Sequence, residues 1–206
     1  MQRAHEVLEF WFGTGPWDAA RLEERSKFWF GDDDAAAGAA RDALIREHLE
    51  PLLERAARGD LAAWAASPKR RLALILLFDQ VPRNAYRGTA AAFAFDREAL
   101  ALTVEGIQLA ADAALDPIER IFFYLPLEHA ESLEAQDGAV AAFERLAAEA
   151  PEELRAYCEY CSKFAREHRD IIAKFGRFPH RNRVLERAST EDEREWLAAG
   201  GGNFGQ

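Results

Sequence analysis

Three short stretches gather side chains able to grip a ligand or move a proton. The first, FDQVPRNAYRG at 78–88, carries Asp79, Gln80, Arg83, Asn84 and Arg87. The second, YLPLEHAESLEAQD at 124–137, sets His129 between Glu128 and Glu131, with Gln136 further on. The third, KFGRFPHRN at 174–182, carries Arg177, His180, Arg181 and Asn182. Arginine forks match carboxylate or phosphate oxygens in pairs, and an imidazole flanked by acids can be held in one tautomer as a general base. If the three stretches converge, they form a polar cleft for a small anionic or zwitterionic ligand such as a metabolite, a nucleotide or a peptide terminus. His129, Glu131 and His180 are then the candidates for acid/base chemistry.

The same residues have structural uses. Cations and amides satisfy the orphan carbonyls at a helix C-terminus. Glu131 can cap a helix opening at Ser132, and His129 can bond a carbonyl. Capping alone does not explain why five polar groups crowd the corner around Pro82. A second alternative is a buried ion-pair network that holds the helices together and takes no ligand. A third is a protein- or peptide-binding scaffold with Trp11, Trp17, Trp29 and Trp64 as anchors, although aromatics at helical spacing are mostly core.

Composition narrows the classes further. Lys and Arg number 26 against 36 Asp and Glu, a formal charge of −10, so a phosphate backbone would meet net repulsion and nucleic acid is not an expected partner. The longest apolar run, Leu72 to Phe78, falls far short of the roughly 20 residues that span a bilayer. The N-terminus, MQRAHEVLEFWFG, has no apolar leader, which points to a cytoplasmic protein. No metal or cofactor is expected. Glu-x-x-His pairs are absent, as are a P-loop, a G-x-S-x-G nucleophile elbow and a Gly-rich turn after a strand. Cys158 and Cys161 form a CEYC deep inside a helical segment, away from the helix N-terminus that would activate a thiol, and read as inert packing residues.

The elements that must position these groups all read as helices. Apolar residues recur at three- and four-residue spacing, as in Val7, Leu8, Phe10, Trp11 and in Leu44, Ile45, Leu49, Leu52, Leu53. Helices are predicted near 3–12, 18–29, 33–57, 60–66, 68–79, 89–106, 117–127, 132–149, 151–174, 180–187 and 190–199. Ser67-Pro68 and Asp116-Pro117 supply starts, and Thr190 to Glu193 makes a capping box. Gly13, Gly59, Gly88, Gly138 and Gly176 follow or interrupt helical segments. Pro82 should stop its helix within a turn, and Pro126 should open the backbone ahead of Glu128.

RRLALILLFD is apolar almost all round and should be the central buried helix. Short connections favour antiparallel neighbours, hence stacked helical hairpins in a single compact domain over 1–206. Phe78 and Phe175 each stand three residues before an apolar-Pro step, yet little else repeats between the two halves, so local turn chemistry accounts for the echo as well as an internal duplication would. In the tail GGGNFGQ, Phe204 is expected to seat in a surface pocket.

The segments LILLFDQVPRNAYRGTAAAFAFD, FYLPLEHAESLEAQD and IIAKFGRFPHRNRVLERASTEDE, with the tail GGGNFGQ, together resemble the bacterial domain-of-unknown-function family nine-two-four. The likeness spans nearly the whole chain. It implies an all-α fold similar to tetratricopeptide-like helical arrays and implies no reaction. Where such relatives usually read His-Ser-Glu-Asp, this chain has His129-Ala130-Glu131-Ser132, so no serine hydroxyl directly follows the histidine.

Overall fold

The structure, a computed structural model, describes residues 2–31 and 35–201. Phe204 lies outside the described residues. Among those described there is no strand. The helices are α1 (Gln2–Phe12), α2 (Ala19–Phe30), α3 (Ala35–Ala57), α4 (Pro68–Ala85), α5 (Asp96–Gln108), α6 (Pro117–His129), α7 (Leu133–Glu149), α8 (Glu152–Phe175) and α9 (Glu191–Ala198). Short 3-10 turns at Ala62–Ala66, Ala90–Phe93, Ala111–Ala114 and Pro179–Arg181 join some of them. No helix among the described residues is long and apolar enough to cross a membrane.

The continuous apolar run makes α4 the centre of the molecule, with every residue from Arg71 to Ala85 buried. Helices packed on all sides of it cover both its apolar and its polar positions. Cross-contacts fix the directions of the neighbours. Arg46 reaches the Ala85 carbonyl while Glu50 meets Tyr86, so the middle of α3 lies against the end of α4. Arg71 bonds Glu105 and Arg83 pairs with Asp96, which runs α5 antiparallel to α4. Arg120 bonds Glu149 and the rings of Tyr124 and Phe143 meet, so α7 returns along α6. Arg166 bonds Glu144 and Arg169 bonds Asp137, so α8 returns along α7. Successive helices thus stack as antiparallel hairpins within one compact domain.

Two expectations about proline need correction. Pro82 does not stop α4, which continues to Ala85. A proline inside a helix forfeits one backbone bond and crowds the preceding turn, at a cost of about 3 kcal/mol. Here the all-round burial of α4 outweighs that cost, and the Arg83 and Asn84 side chains donate to the carbonyls of Asp79 (2.7 Å) and Gln80 (2.8 Å) in the turn the proline disturbs. Pro126 likewise lies inside α6, which runs to His129 before Ala130 turns extended. The carbonyls left over at that end are taken by Gln136, whose amide donates to Glu128 O (2.6 Å) and Ala130 O (2.8 Å).

Boundaries elsewhere moved for similar local reasons. The helix expected over 89–106 divides into the 3-10 turn Ala90–Phe93 and α5. The one expected over 180–187 shrinks to Pro179–Arg181 and turns, because Asn182 closes a loop by accepting from the Arg187 side chain and backbone. Gly138 sits inside α7, whereas Gly176 ends α8 in the left-handed conformation with φ of 71°. The Thr190–Glu193 capping box is present, with Thr190 N donating to Glu193 at 2.8 Å. Of the four tryptophans named as anchors, Trp11 and Trp29 are core, and Trp17 and Trp64 pack half-buried against it.

Candidate functional site

The end of α4 brings Asp79, Gln80, Arg83 and Asn84 to one buried corner. The end of α6 delivers Glu128 and His129 to the same place. His129 Nδ1 lies 2.7 Å from Asp79 Oδ1. An ionised carboxylate can only accept, so Nδ1 carries the proton and Nε2 is the remaining acceptor. Asp79 also accepts from Gln80 (2.6 Å) and pairs with Arg83 Nη1 at 3.1 Å. Burial alone would push the Asp79 carboxyl up, but Arg83, His129 and the Gln80 amide outweigh it and hold the group far below the usual carboxylate range. Burial and the nearby Arg83 charge push His129 down, against the pull of Asp79, so the ring stays neutral at neutral pH.

A chain of alternating charge continues behind the dyad. Arg83 Nη2 stands 3.0 Å from Asp96 Oδ1, and Arg181 Nη1 stands 3.4 Å from Asp96 Oδ2. Arg181 is buried between the rings of Phe93 and Phe178, its guanidinium carbon 4.6 and 4.4 Å from their centroids. Burial and the neighbouring Arg83 lower its pKa to about 10, which still leaves it charged. The sequence clusters therefore connect as Arg181, Asp96, Arg83, Asp79, His129, with Asp96 the link they lacked.

His129 opens onto a hollow of about 270 Å³. Its polar wall is Gln80, Arg83, Asn84, Arg87, Glu128, His129 and His168; its apolar wall includes Trp29, Phe30, Leu125, Tyr157, Tyr160 and Phe164. Phe30 and Tyr160 are more than half exposed and mark its mouth. Arg87 is held by Asp42 (2.8 Å) and Asn84 (3.0 Å) with its side chain one-third exposed, 33%. Cys161 also faces the hollow, and burial pushes both its thiol and that of Cys158 up, the latter to about 11, so both stay protonated. Among the described residues no group of three or more His, Cys, Asp or Glu could hold a metal ion. A larger hollow of about 510 Å³ near Trp17 and Arg21 has its Lys69 already paired with Asp116 and Glu119.

The remaining sequence candidates do not line the hollow beside His129. Glu131 accepts from Phe178 N (2.8 Å) and is clamped by Arg187; burial would raise its carboxyl, but those bonds hold it below its usual value. Arg177 and Asn182 both donate to Glu193, tying α9 to the end of α8. Gln136 serves the helix end described above. His180 packs on the Phe178 ring, and burial, with Arg181 and His168 nearby, pushes its imidazole down to about 3. The corner around Pro179 thus meets the other clusters through Arg181, by way of Asp96, and through the Phe178–Glu131 bond. Sequence reasoning predicted the helix α8 but gave it no part in the site, although Tyr157, Cys161, Phe164 and His168 recur at four, three and four residues, one helical stripe ending in an imidazole.

Residues 7–201 match the family of bacterial proteins of unknown function designated DUF924. A solved structure of a protein of unknown function from Agrobacterium tumefaciens is similar over 96% of this chain and 98% of that one, at 35% identity and a TM-score of 0.78. A search of curated proteins returned no match. With all but its ends covered by that family and its helices superposable on a related solved structure, the chain belongs to the bacterial family DUF924.

Proposed function

We propose that the hollow beside His129 binds a small molecule with an apolar body and an anionic or zwitterionic end, and that His129 exchanges a proton with it. The observation that carries this reading is the Asp79–His129 pair at 2.7 Å, whose second ring nitrogen is left for an aromatic-walled hollow. A neutral imidazole oriented through Nδ1 by a buried carboxylate is the arrangement of a general base. Arg83 is buried between Asp79 and Asp96, whereas Arg87, although paired with Asp42, lines the hollow with a third of its side chain exposed, so the anionic end falls to Arg87. The tryptophans that would anchor a scaffold reading are packed into the body of the protein.

The test is thermal unfolding with phenylacetate, hexanoate, phenylalanine and, as an uncharged control, benzyl alcohol. Wild type should be stabilised by the charged probes more than by benzyl alcohol, and Arg87→Ala should lose that preference. If no probe raises the melting temperature, or the Arg87 variant responds as wild type does, the reading is wrong.

A further inference from the structure

The larger hollow, of about 510 Å³, lies where α1, the turn after it and the first turns of α2, α4 and α6 meet. Leu8, Phe12 and Trp17 give it an apolar wall, while Arg21, Lys69 and Arg70 share the rest with Glu9, Asp116 and Glu119. Most of these charges are already matched. Lys69 pairs with Asp116 at 3.5 Å and with Glu119, and Glu9 meets His5 at 3.2 Å.

The two arginines stand apart from that pairing. Asp and Glu outnumber Lys and Arg by 36 to 26 in the chain, yet neither Arg21 nor Arg70 has a carboxylate partner among the described residues. Arg21 donates through Nη2 to the Phe12 carbonyl at 2.8 Å, and its guanidinium carbon stands 3.9 Å from the centroid of the Trp17 ring, so neutral groups hold the fork in place. Its Nη1 is buried and has no hydrogen-bond partner among the described residues. A buried donor left unmatched is uncommon in a folded protein, and a charged one is more costly than a neutral one. Gly15, with φ of 101°, brings no side chain against that nitrogen; a Cβ there would stand 4.0 Å from it. Arg70 is half-buried and has neither a hydrogen bond nor an ion pair through its side chain among the described residues. It is the third residue of α4, whose start adds further donors: Pro68 brings no N–H, and the Ser67 side chain makes no capping bond. Cationic donors thus line the hollow without acceptors of their own.

We infer that this second hollow binds a singly charged organic acid, its carboxylate held by Arg21 and Arg70 and its apolar chain laid along Leu8, Phe12 and Trp17. Planar guanidinium forks match the two oxygens of a carboxylate. Because Phe12 and Trp17 already fix Arg21, little ordering of that side chain is left for the moment of binding. The charge count sets the limit of one. Arg21, Lys69 and Arg70 share the walls with Glu9, Asp116 and Glu119, so a doubly charged headgroup such as a phosphate monoester would meet as many carboxylates as cations. The volume, about 510 Å³ against about 270 Å³ beside His129, admits the longer chain. The two hollows are neighbours across an aromatic partition: the rings of Phe12 and Trp17 lie 6.0 and 5.9 Å from that of Trp29, a wall of the first. Binding here requires nothing of His129 or Arg87.

The test is titration with octanoate, 1-octanol and octyl phosphate, followed through the indole N–H NMR signals of Trp17 and Trp29, assigned with Trp17→Phe and Trp29→Phe. Octanoate should shift the Trp17 signal saturably, 1-octanol should not reproduce that shift, and octyl phosphate should bind more weakly. Arg70→Ala, which breaks no bond of the fold, should weaken octanoate binding by about fivefold or more, and Arg21→Gln should do the same. A Trp17 signal that octanoate leaves unmoved overturns the proposal, as does a response kept in full by Arg70→Ala or matched by 1-octanol; if Arg21→Gln does not fold, Arg70→Ala decides alone. Octyl phosphate binding as tightly as octanoate overturns the limit of one charge. Arg87→Ala separates the two hollows. The Trp17 response to octanoate should survive in that variant, whereas a response lost with Arg87 and kept in Arg70→Ala assigns octanoate to the hollow beside His129 and overturns the second site.

Discussion

Replacing Arg181 by alanine should cost this protein a large part of its stability. Breaking a fully buried ion pair costs about 3–5 kcal/mol. Asp96, the partner, has 24% of its side chain exposed and keeps Arg83 at 3.0 Å, which moves the expected loss from that pair to roughly 2–3 kcal/mol, at or below the lower end. The stacks on Phe93 and Phe178 add about 0.5–1 kcal/mol each. A total near 3–5 kcal/mol corresponds to a fall in Tm of roughly 6–20 °C for a domain of this size. Urea and thermal unfolding of Arg181→Ala measure it, and Arg181→Met, which keeps much of the volume without the charge, should recover part of the packing contribution. A double-mutant cycle with Asp96→Asn should give a coupling of about 1–3 kcal/mol. Removing a positive charge from the chain behind Asp79 should also make His129 easier to protonate. An Arg181→Ala protein within about 1 kcal/mol of wild type, well under the expected loss, would refute the buried-network account of this corner.

Packing and pH give two further predictions. A Cβ at Gly106 would stand 2.5 Å from Phe123 Cζ and 2.8 Å from Arg71 Cδ, and Phe123 is fully buried with no room to withdraw. Overpacking costs about 1–3 kcal/mol against the roughly 1 kcal/mol that alanine gains over glycine in a helix, so Gly106→Ala should be destabilised by up to about 2 kcal/mol in urea, and a stabilised variant contradicts the close approach of α5 and α6. Acid should weaken the fold in two overlapping windows. His129 and His180 stay unprotonated when folded, so the unfolded chain binds more protons below pH 6.5 and stability falls as pH drops from there, toward about 3 for His180. The depressed carboxyls of Asp79, Glu131 and Glu193 contribute fully above their unfolded values of 3.8 to 4.5 and lose that contribution as pH falls further, while Asp96, raised by burial, opposes the trend. Stability in urea that stays level from pH 6.5 to 4 contradicts these assignments.

The helices were legible because their signals are local. An apolar run with charge only at its ends marked α4 as central, and Thr190 with Glu193 marked the start of α9. Pro82 and Pro126 misled for the same reason, since the burial and side-chain bonds that let α4 and α6 continue are tertiary and have no local signature. At the site, the pairing of His129 with an acid was legible as a type of chemistry, yet the acid expected from its neighbours in sequence is Asp79, fifty residues away, and neither Glu128 nor Glu131. Glu131, Arg177 and Asn182 have the residue types of a binding site and serve as fasteners for the segment after α8. Asp96 and His168 carry no unusual local pattern. Only the antiparallel return of α5 along α4, and of α8 along α7, brings them to the corner. The structural network and the ligand reading are also compatible here, because the buried arginines that stabilise the fold are the charges that leave His129 neutral.

The ring nitrogens of His129 test the central claim most directly. Histidine-labelled protein titrated from pH 8 to pH 5 should show a neutral His129 with its proton on Nδ1 throughout the neutral range, and the Nε2 signal should move when phenylacetate is added. A His129 that is protonated at pH 7, that carries its neutral proton on Nε2, or that is unaffected by the ligand would contradict the account.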